Sequence, residues 1–169
     1  MKMESRMKTL MILRHAKPVD PGLLDDFQRP LTHRGIAQAE ALGLALRERN
    51  YSPEKIFSSP SARTLETTRG VLRGGGFDCP LDTHADIYNG SGHDLLRVIS
   101  NTPESIRHLL LVGHMPGVGE LTRMLALRTK SSGVDFHPCT LAVMECMAET
   151  WNEVPHTGGV LKLSLPPLA

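Results

Sequence analysis

The sequence predicts a layered α/β fold with a mostly parallel sheet and an antiparallel edge. Three observations predict it. Short apolar runs alternate with longer segments of helical periodicity. Each of the clearest runs stops abruptly, as in Leu13-Arg14-His15 and Val112-Gly113-His114. Two strand-like stretches near the C-terminus follow one another across a short turn region, which suits an antiparallel pair.

The elements follow in order. Thr9 to Leu13 is apolar and ends at Arg14-His15, so it reads as a buried strand. Lys17 to Pro30 carries prolines and acidic residues and reads as loop. Thr32 can cap a helix, and Ile36, Ala39, Leu42 and Leu46 then mark one face of it to about Asn50. Lys55 to Ser58 is a second strand. Ser59-Pro60-Ser61 opens a helix that Gly74-Gly75-Gly76 stops. Pro80 to Thr83 reads as a short strand and Gly92 to Asn101 as a helix. His108 to Gly113 is the clearest buried strand, with Leu109, Leu110, Leu111 and Val112 in a row. Pro116 suits the first turn of the helix that follows, to about Leu127. Ser131 to Pro138 reads as loop. Thr140 to Met147 and Gly159 to Ser164 form the terminal strand pair, joined by a turn region around Trp151 to Gly158.

The chain's 169 residues suit one domain, read as 9–169, with residues 1–8 as a loose leader. That leader is polar and too short for a secretory signal. Formal net charge is +1 with both signs interspersed, which argues against the strongly basic face that a nucleic-acid binder needs but leaves room for a small local cluster of cations. Aromatic residues make up only 4%, too few for base-stacking platforms. No stretch approaches the ~18 apolar residues of a membrane span. Cys79, Cys139 and Cys146 form no C-x-x-C pair, so free thiols in a reducing cytoplasm are expected. The eight histidines show no tight ligand spacing, so neither a metal nor another cofactor is expected.

Ligands of open α/β sheets bind beyond the carboxyl ends of the strands. The first apolar run delivers Arg14 and His15 there, the second Ser58-Ser59-Pro60 and then Arg63, and the fourth Gly113-His114. Two histidines and two arginines therefore converge if these strands are parallel neighbours. Arginine forks match phosphate oxygens and stay charged. Neutral imidazole can attack phosphorus, and neighbouring arginines keep it neutral by lowering its pKa. His114 can donate to the phosphoryl oxygens.

Leu13-Arg14-His15-Ala16-Lys17 resembles the Arg-His signature of the histidine phosphatase superfamily, also called phosphoglycerate mutase-like. Most members have glycine where Ala16 stands, and Ala16-Lys17 is closer to the SixA-type phosphohistidine phosphatases. Arg29-Pro30-Leu31-Thr32 with Arg34-Gly35 resembles a segment of that branch. Ser58-Ser59-Pro60-Ser61-Ala62-Arg63-Thr64-Leu65-Glu66-Thr67 and Val112-Gly113-His114-Met115-Pro116 match the second and third signatures. The resemblance runs from about Thr9 to the end. It implies a three-layer α/β/α phosphoglycerate mutase-like fold. It also implies that His15 is the phosphorylated nucleophile and that Arg14, Arg63 and His114 line the phosphate pocket. Arg29 is implied as a further phosphate-binding cation.

Many members carry a glutamate as general acid. The nearest counterpart here is Asp86, in Ala85-Asp86-Ile87-Tyr88, and Asp20, Asp25 and Asp26 are other acids within reach. A phosphoramidate asks less of an acid than an alkoxide leaving group does. The chain also leaves little room for inserts that cover a pocket. Both points favour phosphohistidine on a phosphorelay or phosphotransferase protein. A broad phosphomonoesterase and a non-catalytic phosphate or phosphohistidine binder are the alternatives.

Overall fold

The computed structural model describes residues 7–168. Its main elements are β1 (Met7–Arg14), α1 (His33–Glu48), β2 (Lys55–Ser58), α2 (Ala62–Gly75), β3 (Leu81–Thr83), α3 (Gly92–Ser100), β4 (His108–Gly113), α4 (Gly117–Thr129), β5 (Leu141–Met147), α5 (Val154–Thr157) and β6 (Val160–Leu165). Among the described residues six strands form one sheet in the order β3-β2-β4-β1-β5-β6. The pairs β2–β3, β2–β4 and β1–β4 are parallel, whereas β5 pairs antiparallel with both β1 and β6. The expected antiparallel edge is therefore the β5–β6 pair. The reversed strand, β5, lies one position in from that edge.

Alternation along β1 sets the three layers. Successive strand residues point to opposite faces. Leu10 and Ile12 pack with Leu95, Ile99, Leu121 and Leu125 of α3 and α4. Met11 and Leu13 pack instead with Leu42 and Leu46 of α1 and Val71 of α2. Both faces are covered, which is why the central strands read as unbroken apolar runs rather than alternating ones. Local chemistry closes the elements as the sequence indicates. Thr32 caps α1 by accepting from the Gly35 amide at 3.0 Å. Gly76 ends α2 at φ +65°, a left-handed conformation that suits glycine.

Helices α1 and α4 lie on opposite faces of the sheet, yet they follow the adjacent strands β1 and β4. The chain thus leaves the carboxyl ends of these two neighbours in opposite directions and opens a crevice between them.

Three readings change at the margins. The strand β1 begins at Met7, so the expected leader boundary at residue 8 falls inside it, and Met1 to Arg6 lie outside the described residues. Lys8 is buried because its stem lies beside Trp151, with Nζ 5.7 Å from the ring, and its ammonium donates to the Glu104 carbonyl at 3.2 Å. The loop 17–30 holds a 3₁₀ turn at Asp26–Gln28, and the turn region before β6 holds a 3₁₀ turn and α5. No helix of the described residues is long and apolar enough to cross a membrane.

Candidate active site

Strand register places the key groups abreast. Arg14 pairs with Gly113 and Ser58 with Val112, so His15, His114 and Ser59 each stand one residue beyond the sheet. The His15 amide donates to the Gly113 carbonyl at 3.0 Å and the Ser59 amide to the Val112 carbonyl at 3.2 Å, which fixes both exits. The two imidazole centroids are 5.2 Å apart. Arg63, in the first turn of α2, is only 6% exposed, and its Nε lies 3.3 Å from His15 Nε2.

The tautomer of His15 follows from its partners. Nδ1 is 2.7 Å from the Ala16 carbonyl oxygen, which can only accept, so Nδ1 carries the proton. Nε2 of the neutral ring then presents its lone pair toward Arg63. Ala16 is itself held, because its amide donates to Thr67 Oγ1 at 2.9 Å and that hydroxyl donates to the Arg63 carbonyl at 2.7 Å. One turn of α2 therefore positions both Arg63 and the His15 loop.

Electrostatics keep both rings neutral. Burial lowers the His15 pKa to about 4; the Ala16 hydrogen bond opposes this, and Arg63, Arg14 and Arg29 add to it. Burial likewise lowers His114 to about 3, helped by His15 and Arg63. His114 Nε2 lies 2.8 Å from Ser59 Oγ. Ser59 Oγ accepts from the Ser61 amide at 3.3 Å, which leaves its own proton to donate to His114. In that arrangement His114 carries its proton on Nδ1, a buried atom with no partner among the described residues.

Unpaired donors gather here. Of the five buried side-chain nitrogen or oxygen atoms without a partner among the described residues, three are Arg14 Nε, Arg29 Nε and His114 Nδ1. Buried donors left unpaired in a native fold point to a missing acceptor. The geometry suits an anion. Arg14 is aimed by the Phe136 carbonyl, which accepts from its Nη1 at 2.8 Å.

The acids named from the sequence are placed differently. Asp86 is exposed on a 3₁₀ turn and has no hydrogen bond or ion pair with His15, His114, Arg14 or Arg63. Tyr88, two residues on, turns in instead. Its hydroxyl donates to Asp26 Oδ2 at 2.7 Å, and its ring meets that of His114 at 5.5 Å. Asp26 also accepts from Arg63 Nη2 and Arg29 Nη2, each at 3.1 Å. The Tyr88 hydrogen bond and the two arginines hold the Asp26 carboxyl below its ordinary range, so it is ionised at neutral pH. Asp26 thus bridges the two cations. Three linked residues carried no role in the sequence reading: Ser59, Thr67 and Tyr88. Thr67 is visible in hindsight as the helical i+4 neighbour of Arg63. Lys17 is exposed. Among the described residues no three His, Cys, Asp or Glu side chains gather as metal ligands.

Known proteins resemble the chain in sequence and in fold. Residues 10–89 match the family model of the histidine phosphatase superfamily, branch 1. The phosphohistidine phosphatase SixA homolog of Haemophilus influenzae is 30% identical over 146 residues, covering 79% of this chain and 85% of that protein. The solved structure of a protein assigned as phosphohistidine phosphatase SixA from Nakamurella multipartitia superimposes with a TM-score of 0.81 at 26% identity, covering 96% of this chain and 98% of that one. A SixA protein histidine phosphatase complexed with tungstate shares the fold, with a TM-score of 0.79 at 20% identity over 94% of this chain and 97% of that one. The three-layer architecture is phosphoglycerate mutase-like. The chain belongs to the histidine phosphatase superfamily and is a hydrolase of its SixA-like branch.

Proposed function

We propose that the chain removes phosphate from phosphohistidine on a partner protein, through a covalent phospho-His15 intermediate. The carrying observation is the His15 Nδ1 contact with the Ala16 carbonyl, which leaves the Nε2 lone pair beside Arg63 and His114. In the first step Nε2 attacks phosphorus while the bond from phosphorus to the substrate imidazole breaks, and that imidazole takes up a proton from solvent. Arg14, Arg63 and Arg29 face the phosphoryl oxygens, and His114 donates to one of them from Nδ1. The Ala16 carbonyl stabilises the positive charge that the His15 ring gains on phosphorylation. Water then attacks phosphorus, the bond to Nε2 breaks, and orthophosphate leaves.

The surroundings support a phosphoramidate on a protein. Asp26 is ionised and engaged with Arg63, Arg29 and Tyr88, and Asp86 stands outside the group, so neither supplies the proton an alkoxide needs. Phe27 and Met115, next in the chain to Asp26 and His114, are 38% and 42% exposed and offer apolar contact to a large substrate. Its SixA-like relatives bear the name of phosphohistidine phosphatases. The test compares kcat/KM for a histidine-phosphorylated carrier protein with that for p-nitrophenyl phosphate and other small esters. The carrier is expected to be turned over faster. Faster turnover of the esters would favour a phosphomonoesterase.

A further inference from the structure

Beside the candidate active site, and outside the group just described, a second depression is cut into the same end of β1. It measures about 320 Å³ and is lined by Lys17, Arg34, Gln38, His137, Pro138 and Pro167. Its place is fixed by the backbone that fixes His15. The Cys139 amide donates to the carbonyls of Arg14 at 3.1 Å and His15 at 2.9 Å, and the Thr32 amide donates to the Lys17 carbonyl at 3.0 Å. Lys17 follows His15 by two residues, a span of at most ~7 Å.

The lining is unfinished as a protein surface. Gln38 is only 6% exposed, and its amide Nε2 donates to no described residue. That N–H is free to donate to an acceptor such as a carboxylate oxygen. Arg34 and Gln38 stand one turn apart on α1 and so share a face. Neither Lys17 nor Arg34 forms an ion pair with any described residue. The acid nearby is Asp135, whose Oδ2 lies 3.2 Å from His137 Nε2 on the exposed rim.

We propose that this depression is a subsite for a carboxylate of the substrate polypeptide, carried by an aspartate or glutamate near the phosphohistidine. Lys17 and Arg34 supply the charge, and Gln38 Nε2 donates a directed hydrogen bond. Specificity then has two parts. The histidine pocket reads the phosphoryl group, and the subsite reads the acidic neighbour. The inference rests on the phosphohistidine reading above.

The test uses two synthetic peptides phosphorylated on a central histidine, one flanked by aspartate and glutamate, the other by serine and glycine. The wild type is expected to show about tenfold higher kcat/KM on the acidic peptide, most of it in KM and weakened by salt. The exposed-site variants Arg34→Glu and Lys17→Gln are expected to erase most of that preference, with the serine peptide changed by no more than about twofold. Equal turnover of both peptides by the wild type overturns the subsite. So does an equal loss on both peptides in the variants. Turnover of neither peptide, with small esters still cleaved, overturns the phosphohistidine reading and the subsite with it.

Discussion

A histidine serves as a nucleophile only while its ring is neutral, and here the neutral state is enforced by burial and by three arginines. The consequence can be measured in the free protein. NMR titration of His15 and His114 is expected to give midpoints near 4 and 3, well below the ordinary 6.5. Because the rings are close, the two steps belong to the pair. Both folded values lie below the unfolded one, so the unfolded chain binds protons first as pH falls. The stability that neutral rings provide is complete above pH 6.5 and is lost as pH falls from there toward 4 and 3. Urea midpoints recorded over that window should decline. His15→Ala and His114→Ala together should flatten the decline, and an unchanged slope would show that other groups cause it.

Asp26 gives a second expectation at this scale. Its carboxylate occupies donors of Arg63 and Arg29 that an incoming phosphoryl group would use. Asp26→Asn keeps the shape and removes the charge. Vanadate and phosphate, both read by calorimetry, should bind about tenfold more tightly. Weaker binding would mean that Asp26 serves to orient the arginines rather than to compete with the anion.

At the scale of elements, the site depends on how α1 and α2 lie against the sheet. Gly43 of α1 faces the Val71 carbonyl of α2 so closely that a β-carbon would collide with backbone. Gly43→Ala should therefore destabilise by about 1–3 kcal/mol in urea unfolding, since neither helix can yield without moving the other. The Thr67 hydroxyl links α2 to the His15 loop. Thr67→Val should lower kcat about tenfold or more with little change in KM, because the Ala16 amide loses its acceptor and His15 loses its aim. A mutant with wild-type kcat would remove Thr67 from the account.

Across the whole molecule, what could be read in advance is what the sheet dictates. Leu10 to Leu13 and Leu109 to Val112 are buried on both faces, so the strands announce themselves, and the residues that end them announce the site. His15, Arg63 and His114 were legible for that reason. The Asp26–Arg29–Arg63–Tyr88 cluster was not, because it forms where an irregular loop folds back on α2 and no periodicity encodes such closure. Asp86, the nearest counterpart of the family's glutamate, is exposed on a 3₁₀ turn, and it is Tyr88, two residues on, that reaches Asp26. The turn and short helix at 151–157 are too brief to show a period, and Trp151 is anchored by long-range contacts with Lys8 and Ile106.

Rapid quench of the enzyme with a histidine-phosphorylated carrier, followed by mass spectrometry and phosphorus NMR under alkaline conditions, tests the central claim most directly. An acid-labile phosphoryl group on Nε2 of His15, formed and lost within the turnover time and absent in His15→Ala, is the predicted result. Turnover with no label on the protein, or with the label on another residue such as His114, would contradict it.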